Sequence, residues 1–241
     1  MKTFNNLKIG TKILCGFFMV AIIAMIIGIM GIVNLNTISN KDTEMYEKMT
    51  VPMSNLYNMT EEFQKMRANV RDIILSSDAK DMLNIEAKIN ENGVVYNKNA
   101  SEFQKTLLSN EGVALAKTTT DSVDAYNKIA AEVIILAKQN KDVQALALTK
   151  SEGLTANDLV IKNMKSLTAM KVGLAKVASD SNTATANSSI KLMLIFIIIG
   201  ATLAIGLGVI ISKSITKPIK KLVDYADRIA LGDVDIEITE S

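Results

Sequence analysis

Two stretches of the chain show no alternation of apolar and polar positions. Ile13 to Val33 is 21 consecutive residues without a charged or strongly polar side chain, and Leu192 to Ile211 is 20 more, with Thr202 as the one polar position. A helix crossing the hydrocarbon core of a bilayer needs about 20 apolar residues. Only a helix satisfies its own backbone there within a single segment. Both stretches are predicted to be transmembrane helices. The first is longer than the apolar region of a cleavable leader, roughly 7–15 residues, and no small-residue cleavage motif follows it.

Between these stretches the pattern turns periodic. Leu35, Ile38, Met45, Met49, Leu56, Met59, Phe63, Met66, Val70 and Ile73 follow 3/4 spacing, with Asp42 and Pro52 as breaks in the register. This is heptad periodicity, the mark of helices packed nearly parallel. Ser76-Ser77-Asp78 ends the helix. A second helix is predicted over 79–108 on a weaker seam of Met82, Ile85, Ile89, Tyr96 and Phe103. A third is predicted over 113–138, after the break Ser109-Asn110-Glu111-Gly112. Asn140-Lys141-Asp142 reads as a partial stop and Ser151-Glu152-Gly153 as a full break. The fourth helix then starts at Thr155, with Asp158 completing a pattern like a capping box. It runs into the second apolar stretch with Val160, Leu167, Met170, Leu174 and Val177 inward.

Four long helices joined by short breaks make an up-down-up-down antiparallel bundle. The expected fold class is all-α: an extracytoplasmic antiparallel four-helix bundle flanked by two transmembrane helices. The expected divisions are 1–12, a cytoplasmic N-terminus; 13–33, the first transmembrane helix; 34–191, the bundle; 192–211, the second transmembrane helix; and 212–241, a cytoplasmic tail. Within that tail Ile215, Ile219, Leu222, Ala226 and Ile229 resume 4-3-4-3 spacing. Pro218 is placed in the first turn of this helix, where a missing N–H is harmless. Leu231-Gly232-Asp233 ends it, and an extended connector follows. One amphipathic helix needs a partner: a second copy, a downstream helix, or both.

Charge fixes the orientation. Lys2, Lys8 and Lys12 precede the first stretch, and Lys213, Lys217, Lys220 and Lys221 follow the second, so both termini are expected in the cytoplasm. The 158 residues between carry 19 basic and 19 acidic side chains, and the net +2 belongs to the flanks. The basic balance is thus a topology signal and gives no support to nucleic-acid binding. The chain has no histidine and one cysteine, Cys15, inside the first stretch. Histidine acid–base chemistry, the usual transition-metal sites and an internal disulfide are excluded. No Gly-rich phosphate loop or GxSxG element is present. No enzymatic activity, cofactor or metal is expected.

Two membrane stretches around an external bundle, then Ser214-Ile215-Thr216-Lys217-Pro218-Ile219 and Leu231-Gly232-Asp233, resemble the methyl-accepting chemotaxis receptors. The external part looks like their four-helix-bundle sensor domain. The tail looks like the first helix and connector of a HAMP relay domain, with Ile215, Pro218, Ile219, Leu222, Ile229, Gly232 and Asp233 as its relay residues. The second HAMP helix and the long signalling coiled coil are missing from this sequence. The resemblance implies a homodimer that senses a small molecule and passes a conformational signal inward. The sensor half of a HAMP-containing histidine kinase or diguanylate cyclase would show the same features. A membrane-anchored coiled-coil stalk is the non-signalling alternative.

Candidate ligand residues follow. Arg67 and Arg71 lie four apart on the first external helix, with Thr60 and Gln64 in the same polar stripe. Neither arginine has an acid three or four residues away, and the pair repels itself weakly. Solvation, acids on another helix, or a ligand would each satisfy them. The resemblance implies an anionic ligand, such as an amino-acid or organic-acid carboxylate, across a dimer interface; the arginine fork suits a carboxylate. Thr155, Asn157, Asp158 and Lys162 are expected at the same height, where free N–H groups at the start of helix four would add an anion site.

Overall fold

The computed structural model describes residues 8–232. Among the described residues there is no strand, and four helices hold nearly all of them: α1, Ile9–Leu75; α2, Ala79–Gln104; α3, Asn110–Lys138; and α4, Asp142–Ala230. Each of the two long helices contains one π-helical turn, Tyr46–Thr50 in α1 and Thr149–Gly153 in α4. The chain divides into two compact units. One holds Ser39–Thr183; the other holds the described residues up to Ile38 together with those from Ala184 onward.

The first unit is the four-helix bundle. The α1 seam is buried from Met49 to Ile73, with Phe63 and Ile73 fully enclosed. Met82, Ile85, Tyr96 and Phe103 of α2 meet it, as do Val123, Tyr126, Ala130 and Val133 of α3 and Val160, Met164 and Leu167 of α4. Each Val, Leu, Ile, Met or Phe side chain among them contributes roughly 1.5–3 kcal/mol of transfer free energy. Buried polar side chains cross-link the helices. Asn92 Nδ2 donates to Glu62 Oε2 at 2.6 Å between α2 and α1, and Asn163 Nδ2 donates to Ser122 Oγ at 2.7 Å between α4 and α3. A cleft of about 600 Å³ opens between α2 and α3, where Gly93, Ala130 and Ala131 are too small to close it.

Several local expectations change. Pro52 does not break the α1 seam; it is buried in register, just beyond the π turn in which Val51 N–H bonds to Tyr46 O. Helix α2 stops at Gln104, short of residue 108, and α3 begins at Asn110, capped by Ser109 Oγ accepting from Gly112 N at 3.1 Å. Asp78 caps α2 by accepting from Lys80 N at 3.0 Å. The reversal before α4 is the predicted partial stop: Asn140 adopts the left-handed conformation (φ 57°), which asparagine tolerates. The predicted break at Ser151-Glu152-Gly153 is instead helical, and α4 begins at Asp142. Val177, placed inward by the spacing, is 67% exposed. It lines a groove with Lys41, Glu44, Met45 and Met49 of α1.

In the other unit, α1 and α4 approach where one of them has no side chain. A Cβ on Gly16 would stand 2.9 Å from Ile211 Cδ1, one on Gly200 2.9 Å from Ile23 Cγ2, and one on Gly31 3.3 Å from Met193 Cε. Both helices are long and apolar enough to cross a membrane, and none of their apolar windows is buried within the chain. Pro218 is not in a first turn. It lies inside α4, which continues unbroken to Ala230. Its missing N–H leaves the Ser214 carbonyl without its usual donor. Gly232 ends the helix with φ 87°, its N–H donating to Ile229 O at 3.0 Å. Asp233 lies outside the described residues.

Candidate ligand site and relay

Helix geometry puts Thr60, Gln64, Arg67 and Arg71 along one stripe of α1. Thr60 turns its hydroxyl back to Leu56 O at 2.8 Å and also reaches Met164 Sδ of α4 at 3.3 Å. Gln64 Oε1 accepts from Arg67 Nη1 at 3.0 Å, so this amide orients the guanidinium. Beneath them Phe63 meets the edge of Tyr126 on α3, with ring centroids 4.9 Å apart. Burial pushes the Tyr126 phenol above its ordinary pKa, and the charges of Arg67 and Arg71 pull it back down. Both guanidinium groups therefore act on the same phenol. Among the described residues neither arginine has a carboxylate partner. The two acids of the preceding turns, Glu61 and Glu62, are engaged elsewhere. Lys65 bridges Glu61 and Glu62, and its hydrogen bond is the main cause holding the Glu62 carboxyl below its usual range.

The contribution expected from α4 divides. Asn157 is 5% exposed; its Nδ2 donates to Asp158 Oδ1 at 2.9 Å, while its own Oδ1 is buried without a partner. An unpaired buried acceptor costs about 1–3 kcal/mol, so this oxygen is an open position inside the bundle. Thr155 is exposed, and its hydroxyl donates back to Ser151 O at 3.2 Å. That bond belongs to a helix interior. No free N–H groups stand at Thr155, so the anion site expected there does not form. The structure thus joins Gln64, Arg67, Arg71 and Tyr126 and does not bring Thr155 to them.

The relay residues lie on α4. Ile219, Leu222 and Ile229 are each at least half exposed, a bare apolar stripe of heptad spacing. Ile215 is half-buried.

Sequence reading passed over Lys171. It is 1% exposed, and its Nζ donates to Lys48 O and Thr106 O, each at 2.7 Å, and to Thr106 Oγ1 at 3.0 Å. The ammonium also stands 5.1 Å from the centroid of the Phe103 ring. Burial, then the charge of Lys48, brings its pKa down to about 8. The signal was its spacing: Lys171 falls four after Leu167 and three before Leu174, on the α4 seam.

Residues 6–186 match the family model described as a four-helix-bundle sensory module for signal transduction. A candidate sensory transducer protein of Acetivibrio thermocellus is 27% identical over 173 residues, which is 72% of this chain and 31% of the relative. The candidate sensory transducer YvaQ of Bacillus subtilis is 21% identical over 242 residues, 98% of this chain and 42% of the relative. The chain therefore spans less than half the length of these relatives. No solved structure gives a significant match. With three quarters of its length under one family model, and with the four-helix unit that model describes, the chain belongs to the family of four-helix-bundle sensory modules for signal transduction.

Proposed function

We propose that the chain is the sensing and transmitting part of a transmembrane chemoreceptor. Its bundle lies outside the cytoplasmic membrane, detects a small anionic molecule such as an amino or organic acid, and passes a conformational change through α4 to a HAMP relay. The observation that carries this reading is the pair Arg67 and Arg71, two guanidinium groups on one stripe without a carboxylate partner among the described residues. Arginine binds a carboxylate through two parallel N–H donors. The continuity of α4 from Asp142 to Ala230 supports transmission, since a displacement in the bundle is not absorbed by a break. The bare stripe of Ile219, Leu222 and Ile229 supports a parallel homodimer at the relay. The lysines flanking both apolar stretches support cytoplasmic termini.

Calorimetric titration of the full chain in lipid nanodiscs with amino acids and dicarboxylic acids tests the ligand reading. Binding of one such acid, lost at least tenfold in Arg71→Ala, is expected. Unchanged affinity in that variant rejects the arginine site. A chemotaxis-type output, in place of a histidine kinase or diguanylate cyclase, is proposed from the resemblance of the bundle and tail to the methyl-accepting chemotaxis receptors; both relatives are named sensory transducers. Fusing the chain to a receptor signalling domain and following ligand-dependent kinase control tests it.

A further inference from the structure

The α4 helix carries a buried ammonium, Lys171, that has no counterion among the described residues. An unpaired charge in a helix bundle is costly unless its hydrogen bonds are all made, and the three acceptors around Lys171 explain how it is tolerated. Two of them come from places where the backbone lacks an ordinary partner. Lys48 lies in the π turn Tyr46–Thr50, just before the return to α geometry, and residue 52, whose N–H an α-helix would offer to its carbonyl, is proline. That carbonyl accepts instead from Lys171 Nζ at 2.7 Å. Thr106 lies just past the end of α2, where the last carbonyls of a helix lack intrahelical donors and carry its negative pole. Its carbonyl and hydroxyl accept at 2.7 and 3.0 Å. The socket is therefore made by a proline in α1 and a helix end in α2.

We propose that Lys171 is a positioning residue, a latch that fixes the axial register of α4 against α1 where α2 and α3 end. Thr106 marks that level, in the reversal between α2 and α3. Toward Ser39 and Thr183, α1 and α4 keep only a shallow groove lined by Lys41, Met45, Leu174, Ala178 and Ser181, with Lys41 Nζ donating to the exposed Ser181 Oγ at 3.3 Å. That hydrogen bond is exposed, and an exposed contact is a weak restraint. A slide of α4 by one turn, about 5.4 Å, would withdraw the ammonium from all three oxygens together. The inference goes beyond the ligand reading and does not depend on it.

The test uses the full chain in nanodiscs, with the native Cys15 replaced by alanine. Met45→Cys is paired in turn with Leu174→Cys, Ala178→Cys and Ser181→Cys, and disulfide formation is timed without ligand. One pairing is expected to form faster than the others by about tenfold, the scale of a lost charge-assisted hydrogen bond. In Lys171→Met the three rates are expected to become level while far-UV circular dichroism is unchanged. A preference kept in full by a folded Lys171→Met chain overturns the latch. Pro52→Ala provides a second route, because it restores the N–H that α geometry would offer to the Lys48 carbonyl. It is expected to weaken the preference on its own and to add nothing in the Lys171→Met background. An additive effect there overturns the shared socket. If Lys171→Met does not fold, an unchanged preference in Pro52→Ala overturns it as well.

Discussion

The two units use opposite means to bring helices together. In the bundle, apolar seams are enclosed and polar side chains tie one helix to the next, as Glu62 does with Asn92 and Asn163 with Ser122. In the other unit the stretches Ile13 to Val33 and Leu192 to Ile211 are apolar on all faces, and close approach depends on the absence of a side chain at Gly16, Gly31 and Gly200. On the reading proposed above, with the apolar stretches in a membrane, water explains the difference. A helix in water is sorted by transfer free energy, so its buried face is written in the contrast between positions. A helix in lipid gains nothing by exchanging tails for leucines, so its contacts follow shape.

Core truncation gives the largest expected effect. Phe63→Ala removes a fully buried ring and its contact with Tyr126, and should lower bundle stability by about 3–5 kcal/mol. Thermal unfolding of the full chain followed by circular dichroism measures it. A loss below about 1 kcal/mol would mean the seam is not what holds the bundle.

Charge inside the seam comes next. The pKa of Lys171 is lowered from 10.5 to about 8, so between those values the unfolded chain binds more protons than the folded one. Stability contributed by this group is therefore flat below pH 8 and rises through the window, by up to about 3 kcal/mol. The Tyr96 phenol is pushed up by burial and works in the opposite direction above the ordinary tyrosine range. Denaturation of the parent chain and Lys171→Met compared from pH 7 to 9.5 isolates the lysine. A rise that persists in the variant assigns it to other groups.

Shape dependence in the apolar unit gives the smallest effect. Gly200→Ala forces a methyl group against Ile23, at a cost of about 1–3 kcal/mol, whereas Gly206→Ala meets open space. Disulfide formation between Gly31→Cys and Met193→Cys should slow in the first variant and not in the second. Equal rates would show that these helices do not need the glycines.

Much of this was legible in the sequence for the same reason that separates the units. The α1 seam could be read because its positions contrast with polar neighbours. Which faces meet in the apolar unit could not, since Ile13 to Val33 offers no contrast. Breaks were harder to place than seams. Ser151-Glu152-Gly153 has the composition of a loop, but Gly153 is buried, and a Cβ there would stand 3.9 Å from Ile129 Cγ2. That is ordinary van der Waals spacing, and the glycine sits within helix and makes no turn. Asn140, one polar residue among several, carries the reversal through its backbone conformation. The site follows the same rule. Arg67 and Arg71 were legible from their missing acids, whereas Thr155 was assigned by a helix start that lies elsewhere. Lys171 was hidden because its partners are carbonyls, and a sequence does not show which carbonyls are unclaimed.

The π turn at Tyr46–Thr50 has a consequence for the length of the chain. Such a turn holds one residue more than the α-helix around it needs. Deleting a single residue there would let the segment relax to α geometry and keep the apolar faces on both sides aligned. The same deletion elsewhere in α1 would rotate one part of the helix by about 100° against the other. Genes encoding this module can therefore shorten by one codon at this point and still specify the same bundle.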